Sequence, residues 1–237
     1  MPNCGGKRRG SAASRPPQRS ISQRSELVYD VHEFGINIDH REVFLHWHGY
    51  SPELMIDGFV AANVIKNIRI LNQISSAPIL LHQISNGGDW NFGMAIYDAL
   101  ASSRAPVILL AHAHARSMSS IIPQAASKRV IMPHADFLIH LGTSDLAGNL
   151  ASVISEAEWE KILTDRMLAI YADRCVRGPI FKRKKWSRER IKEWIRRRVE
   201  EKQEFYLSAK EAVDHGLMDA VLGDPGHESI EGLLATK

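Results

Sequence analysis

The polar residues with the clearest capacity for chemistry follow apolar, strand-like runs. The segment AHAHARSMSS follows the run 106–110 and contains Ser117, His140 ends the run DFLIH, and Gly87 and Gly88 follow the run APILLHQI. A serine hydroxyl becomes a nucleophile when a neighbouring base takes its proton, and a neutral histidine suits that role near neutral pH. The oxyanion formed in such a reaction needs backbone N–H donors, which a glycine turn or a helix start can supply. These residue types therefore indicate acyl-transfer chemistry.

Each of these residues also has a purely structural interpretation. A serine at the start of a helix often caps it, a Gly-Gly pair often marks a turn with positive φ, and a histidine at a strand end is often a hydrogen-bonded structural group. In an open α/β sheet, however, ligands bind outside the carboxyl ends of the strands. The placement of Ser117, His140 and Gly88 at such ends favours one shared functional crevice.

The elements that position these residues alternate between strands and helices. Apolar runs predict strands at 42–47, 77–84, 106–113, 128–133 and 136–140. Helical spacing of apolar residues predicts helices at 53–74, 92–100, 117–127 and 155–175. Continuous apolar strands joined by helices are typical of a parallel sheet that is covered on both faces, with right-handed crossovers. The sequence thus predicts an α/β fold.

Length and composition favour a single core in a reducing compartment. The chain has 237 residues, of which 44% are hydrophobic, and this is enough for one sizeable core. No apolar run reaches the ~18 residues that suggest a membrane span, and the N-terminus lacks the apolar stretch of a secretory signal. The two cysteines, Cys4 and Cys175, lie far apart and give no disulfide framework. We therefore expect a cytoplasmic protein.

The two ends of the chain differ in composition from the segment between them. Residues 1–25 are rich in Gly, Ser, Pro and Arg and contain almost no large apolar side chains, so they cannot bury enough surface to offset the entropy of ordering. We expect a disordered basic tail over residues 1–27, a folded domain over residues 28–223 and a short, partly mobile tail over residues 224–237.

A second basic segment lies inside the domain. Residues 177–198, RGPIFKRKKWSRERIKEWIRRR, contain Trp186 and Trp194 among the charges. Such a run is most often the solvated face of a helix. A surface for nucleic acid or for an acidic partner is the first alternative, because basic patches attract anions in any fold, and association with a membrane surface is the second.

Four segments, in this order, resemble the proteolytic subunit of the Clp protease, a serine peptidase of the crotonase-like superfamily. They are ISNGGDWNFGMAIYDAL, AHARSMSS, VIMPHADFLIH and FYLSAKEAVDHGLMDAV, and the matches at residues 93–98 and 206–219 are close. The resemblance covers roughly residues 35–223. It implies a crotonase-like α/β fold with repeated β-β-α units and a long helix for ring stacking.

The resemblance assigns roles to four residues of the crevice. By match to the family motifs, Ser117 is the nucleophile and His140 is the base. The backbone N–H groups of Gly88 and Met118 match the oxyanion hole. No cofactor or metal ion is implied.

The third member of the triad is less well defined. The family places an aspartate several residues before its Leu-Ser-Ala motif, which here is the segment 207–209. Counting back from that segment leads to Glu200, with Glu201 and Glu204 as alternatives, and no aspartate is present among residues 199–205. A glutamate can also orient an imidazole in a hydrolase. We expect Glu200 in this role.

Five residues depart from the family pattern around the site. Asn86 replaces a proline before Gly87, and Leu141 with Gly142 replaces a Gln-Pro pair. Arg116 and Ser119 stand where small Ala and Gly residues are usual. None of these changes removes a catalytic group, although a bulky Arg116 can alter the pocket.

The resemblance implies a serine endopeptidase that cleaves unfolded polypeptides inside a homo-oligomer of stacked rings, fed by a partner AAA+ ATPase. The helix predicted at 155–175 matches the helix through which such rings meet. No membrane partner is expected, and nucleic acid is a lesser alternative. One rival is a catalytically impaired ring subunit or scaffold with a basic interaction surface. The other is an acyl-CoA hydratase or isomerase of the same superfamily, which typically lacks the paired Ser117 and His140.

Overall fold

The computed structural model describes residues 21–45, 54–143 and 145–234. The strands are β1 (Ile36–Asn37), β2 (Glu42–Phe44), β3 (Met55–Ile56), β4 (Ile79–Ser85), β5 (Gly87–Gly88), β6 (Val107–Arg116), β7 (Lys128–Ile131), β8 (Asp136–His140), β9 (Glu204–Ser208) and β10 (Ala220–Val221). The α-helices are α1 (Ile21–Tyr29), α2 (Gly58–Ile74), α3 (Trp90–Ala101), α4 (Met118–Ile121), α5 (Leu150–Cys175), α6 (Pro179–Lys184), α7 (Arg188–Lys202), α8 (Ala209–His215) and α9 (Ile230–Leu233). A π-helical turn, Asp30–Phe34, follows α1, and a 3-10 turn, Ile122–Ala125, follows α4.

The main sheet is mixed, whereas the sequence predicted a parallel one. Its order is β1-β2-β4-β6-β7-β10, and β8 joins β6 to β9 outside this path. The pairs from β2 to β10 along the path are parallel, as is β6 with β8, but β1 pairs antiparallel with β2 and β9 pairs antiparallel with β8. Strands β3 and β5 form a separate parallel pair. The α/β class and the crotonase-like fold are confirmed.

The long strand β6 brings two parts of the sheet together. Its residues 108–111 pair with β7, and its residues 114–116 pair with β8. The carboxyl ends of β6 and β8 therefore lie side by side. Since Ser117 follows β6 and His140 ends β8, this branching places the predicted nucleophile and base at one edge of the sheet.

Both faces of the sheet are covered, as the continuous apolar strands predicted. Leu81 and Leu109 face the main core, to which α2, α3, α5 and α7 contribute apolar side chains. Leu80 and Leu110 face the opposite side and form a smaller cluster with Leu233 of α9. None of the helices within the described residues is both long and apolar enough to cross a membrane.

Side-chain caps define where the helices flanking the site begin. The Asp57 carboxylate accepts a hydrogen bond from Val60 N at 2.9 Å at the start of α2, and the Asp89 carboxylate accepts one from Phe92 N at 3.0 Å at the start of α3. These bonds satisfy N–H groups that have no acceptor inside the helix. The caps thus fix where α2 and α3 begin, shortly after β3 and β5.

The predictions for the two tails need correction. Residues 1–20 lie outside the described residues, but residues 21–27 belong to α1, so the disordered segment does not extend to residue 27. The average composition of residues 1–27 is dominated by Gly, Ser and Arg, so it did not indicate the helix-forming stretch that follows these residues. At the other end, Leu233 is 5% exposed in the core cluster of the opposite sheet face, because Ile230 and Leu233 lie on one side of a short helix.

Several element boundaries also differ from prediction: the helix predicted at 53–74 begins at Gly58, after the short strand β3, and two further cases have a clear outcome. The predicted strand at 42–47 ends at Phe44, and His46 and Trp47 lie outside the described residues. The helix predicted at 117–127 is the four-residue α4 followed by a 3-10 turn. Pro123 explains this change, because proline lacks the N–H that would continue an α-helix.

Candidate active site

Four of the five predicted site residues line one cavity of about 710 Å³. Gly88, Ser117, Met118 and His140 all contribute to its wall. Apolar side chains of α5, among them Trp159, form the opposite side. The expected crevice at the carboxyl ends of the strands is therefore present.

Ser117 has a backbone conformation that serine rarely adopts. Its φ is 52° and its ψ is −131°, so the chain turns sharply between β6 and α4. Its side chain does not cap the helix, which argues against the capping interpretation of this serine. Strained serines at a strand-to-helix turn are typical of hydrolase nucleophiles, because the turn exposes the hydroxyl above the sheet.

Hydrogen bonds hold the turn from both sides. Ser117 N donates to Leu138 O of β8 at 3.2 Å, and Ser120 Oγ donates to Ser117 O at 2.7 Å. Ser120 Oγ also lies 2.6 Å from the buried hydroxyl of Tyr171 in α5. Sequence reasoning missed Tyr171 and Ser120 as positioning residues, since they lie far apart in the chain and belong to no motif.

Glycine is needed at position 87 because β5 passes so close to Ser117. A Cβ on Gly87 would lie 2.6 Å from Ser117 Cβ and 3.0 Å from Arg116 O. Gly88 is equally confined, since its Cβ would lie 2.3 Å from Ile56 O. Both glycines have positive φ, 108° and 144°. The Gly-Gly pair thus lets Gly87 lie against Ser117 while Gly88 lies against Ile56 of β3.

The second backbone donor comes from the turn itself. Met118 is the first residue of α4, so its N–H has no acceptor within the helix. The side chain of Met118 packs over Gly93 of α3, where a Cβ would lie 2.1 Å from Met118 Cγ. Met118 and Gly88 line the same cavity as Ser117.

His140 has the properties of a neutral base. Its Nε2 is buried and has no hydrogen-bond partner among the described residues. Burial lowers the pKa of His140 below its ordinary value of 6.5, and the negative charge of Glu204 partly opposes that shift. An imidazole that is neutral at pH 7 and has a free ring nitrogen can accept a proton.

The three candidate glutamates for the third position occupy very different places. Glu204 lies directly opposite His140 in the antiparallel pair of β8 with β9. Glu200 is exposed in the last turns of α7 and does not line the cavity, and Glu201 forms an ion pair with Arg198 at 3.3 Å. The structure therefore does not bring Glu200 to His140, contrary to our expectation from the sequence. Glu204 is also exposed and does not line the cavity, but its backbone lies opposite that of His140. Counting along the chain could not identify the neighbour of His140. The helix α7 ends at Lys202, and the strand β9, whose pairing with β8 determines that neighbour, begins only at Glu204.

The departure at Arg116 leaves the cavity open. The Arg116 guanidinium forms a two-pronged ion pair with Asp136 of β8, at 2.7 and 2.5 Å, and lies over the ring of Tyr206. This interaction directs the side chain along the sheet, and Arg116 does not line the cavity. The departures at Asn86 and Leu141, in contrast, both contribute to the cavity wall.

The departure at Ser119 adds hydrogen bonds beneath the turn. Its buried hydroxyl lies 2.6 Å from Ser85 O and accepts a hydrogen bond from Arg116 N at 2.9 Å. It thereby ties β4 to the end of β6, where a glycine would leave both backbone groups without this partner. Within the described residues, no group of His, Cys, Asp and Glu side chains is arranged to hold a metal ion.

The fold and the site together define a class, an α/β protein of the crotonase-like type with a serine, a histidine and backbone donors around one cavity. Comparison with known families narrows this class. The Clp protease family profile matches residues 39–225. The chain belongs to the Clp protease family, as its motifs indicated.

Curated relatives agree with this assignment. The chain is similar to proteins named ATP-dependent Clp protease proteolytic subunit 3 from Synechococcus sp. strain CC9902 and strain CC9605, each 28% identical over 171 residues. The protein of the same name from Parasynechococcus marenigrum strain WH8102 is 29% identical over 171 residues. Each alignment covers 71% of this chain and 78% of the relative.

Proposed function

We propose that the chain is a serine endopeptidase that cleaves unfolded polypeptides through an acyl-enzyme. The observation that carries this proposal is the strained Ser117 turn, which shares one cavity with His140, Gly88 and Met118. A strained backbone at a nucleophile position is costly, at about 1–3 kcal/mol, and persists where function needs it. Membership of the Clp protease family supports the same chemistry.

Each residue has a defined role in the proposed mechanism. Ser117 Oγ attacks the scissile carbonyl carbon while His140 takes its proton, and His140 then gives that proton to the leaving amine. The N–H groups of Gly88 and Met118 donate to the oxyanion, an interaction worth about 3 kcal/mol per donor in known hydrolases. Water then repeats the sequence and releases the acyl group from Ser117.

We assign the orienting carboxylate to Glu204. Its position opposite His140 in the sheet, and the influence of its charge on the pKa of His140, support this role. A carboxylate so placed stabilises the imidazolium that forms during the reaction and holds the ring in position. Glu204 thus replaces Glu200 in the proposed triad.

Assembly is part of the proposal. Large apolar side chains of the first half of α5 are exposed, among them Leu150 at 76% and Ile154 at 50%. Exposed apolar residues grouped on one helix are typical of protein interfaces. We assign this surface to contacts between copies of the chain in stacked rings, and a partner ATPase would deliver substrates to the enclosed cavities. The buried free thiol of Cys175 fits the reducing cytoplasm as the place of action.

One observation favours the alternative of a catalytically impaired subunit. Nε2 of His140 has no hydrogen-bond partner among the described residues, so it does not contact the Ser117 hydroxyl in this state. Such contacts are often loose before substrate binds. Cleavage of an unfolded protein substrate by the assembled chain, compared with Ser117→Ala, decides between the two. Loss of cleavage in the variant supports the peptidase, and equal rates in both proteins refute it.

A further inference from the structure

The cations of α6 and α7 fall into two groups that differ in their partners. Those of α7 are largely neutralised, since Lys192 and Arg196 pair with Asp165 and Arg197 pairs with Glu193. Arg198 pairs with Glu201, and Arg188 pairs with Asp173. The pairs with Asp165 and Asp173 join α7 to α5, and the other two lie within α7. Ion pairs within the chain therefore explain most of the basic composition of this helix.

The second group has no such explanation. We call Lys182, Arg183, Lys184, Lys185 and Arg190 the basic face. All five side chains are exposed, and none forms an ion pair with a carboxylate in the described part of the chain. Glu189 is the sole acidic residue between positions 177 and 192. The basic face therefore concentrates uncompensated positive charge.

A partly buried cluster of aromatic side chains orients two members of the basic face. Trp186 lies between its members, with Lys184 Nζ at 4.7 Å and Arg190 Cζ at 4.5 Å from the ring centroid. The Trp186 ring in turn contacts Phe181, which is 1% exposed, and Trp194. Cations that are held by a fixed aromatic ring lose less conformational entropy when they bind a ligand.

Stabilisation of the helix terminus does not account for the basic face. Cations at a helix C-terminus interact favourably with the helix dipole. Because α6 has only six residues, this interaction gives little stabilisation to several cations at once. Neighbouring like charges repel one another and weaken the fold. From this uncompensated and preorganised arrangement, we propose that the basic face binds acidic segments of polypeptides.

Two other anionic partners fit the surface less well. Surfaces that bind single-stranded nucleic acid combine cations with open aromatic faces for base stacking, whereas Lys184 and Arg190 already lie over the Trp186 ring. Membrane-surface helices insert exposed apolar side chains into the lipid, and no large apolar side chain is exposed from residue 177 to residue 202. A flexible peptide that binds through its carboxylates needs neither open aromatic faces nor exposed apolar side chains.

The test measures binding of a fluorescein-labelled oligo-glutamate peptide by anisotropy at low ionic strength. The protein carries Ser117→Ala throughout, so the result does not depend on the proposed peptidase activity. One variant replaces Lys182, Arg183, Lys184 and Lys185 by Gln. The control replaces the paired cations Lys192, Arg196, Arg197 and Arg198 by Gln, which changes the net charge equally. Thermal melting confirms that both variants are folded.

We expect the basic-face variant to lose at least about tenfold in affinity and the control to change by less than about threefold, with binding weakened by salt. The proposal is overturned if the parent protein does not bind the peptide, or if both variants lose affinity equally. It is also overturned if an oligonucleotide, or a vesicle of anionic lipid, binds the basic face more tightly than the peptide under the same conditions.

Discussion

At the scale of single residues, the proposed chemistry depends on how Ser117 and His140 are held. The strained turn presents the serine hydroxyl, and burial keeps the imidazole neutral. Gly87 lies against Ser117, and Glu204 lies opposite His140, where its charge partly opposes the effect of burial on the pKa. Changes at these two neighbours therefore test the site without removing the reacting groups themselves.

The first prediction concerns pH. Because burial lowers the pKa of His140, we expect kcat/KM to rise with pH through a midpoint below 6.5 and then to level off, since the base must be neutral. The charge of Glu204 raises that pKa, so Glu204→Gln should shift the midpoint to lower pH. It should also reduce kcat by roughly 10²- to 10⁴-fold, because the imidazolium loses its partner. Rate profiles of both proteins measure this.

Glu200→Gln is the matched control, because it removes the same charge four residues earlier on the exposed surface of α7. We expect its pH profile and kcat to stay within about twofold of the parent. If Glu200→Gln moves the midpoint and Glu204→Gln does not, the assignment from the sheet register is wrong and the assignment from sequence counting is right.

The second prediction concerns the glycine beside the nucleophile. Gly87→Ala should destabilise the fold by about 3 kcal/mol or more, because the new Cβ combines positive φ with a steric clash against Ser117. Gly223→Ala is the control: its φ of 100° is similar to the 108° of Gly87, but no atom lies within 4 Å of the added Cβ. We expect the control to cost about 1 kcal/mol. Equal losses in urea unfolding would show that β5 does not press on the turn.

At the scale of elements, α5 supports the turn through one buried contact. Tyr171 is fully buried, and its hydroxyl lies 2.6 Å from Ser120 Oγ. Tyr171→Phe should therefore destabilise the fold by about 1–2 kcal/mol, since it leaves Ser120 with one partner fewer. The double variant with Ser120→Ala should lose less than the sum of the single changes, by at least about 0.5 kcal/mol. Strict additivity in denaturant unfolding would mean that the two hydroxyls do not interact.

The sequence predicted the parallel strands better than the antiparallel ones. The runs that became β4, β6 and β8 are continuous and apolar, and a buried parallel sheet requires that pattern. In β9, buried and exposed residues alternate over only five positions, next to a charged helix. Periodicity over so short a segment did not separate the strand from the helix before it.

The reach of local sequence patterns also explains why we expected Glu200, and not Glu204, as the third residue of the site. Ser117, His140, Gly88 and Met118 belong to local motifs, so sequence alone could place them at strand ends and in turns. The neighbour of His140 depends instead on how β9 aligns with β8, and that register is a property of the folded sheet. Motif spacing therefore located the proposed nucleophile and base but not the carboxylate that we propose from the sheet register.

At the scale of the whole molecule, we expect copies of the chain to assemble through the first half of α5. Ile154 is 50% exposed there, and burying it between copies would contribute to association. Ile154→Glu should shift the protein to a smaller oligomer in sedimentation velocity, because a charge would enter an apolar contact. Ser155→Glu adds the same charge to an exposed polar position of the same helix and serves as the control. Oligomers of equal size in all three proteins would place the interface elsewhere.

The central claim is that Ser117 is an activated nucleophile, and covalent labelling tests it most directly. Fluorophosphonate probes react with activated serines whatever the substrate preference, and intact mass reports how many groups are attached. We predict a single adduct on the folded, assembled protein, none on Ser117→Ala and little on His140→Ala. An adduct that persists in Ser117→Ala, or no adduct on the intact assembly, would contradict the account and favour a catalytically inactive member of the family.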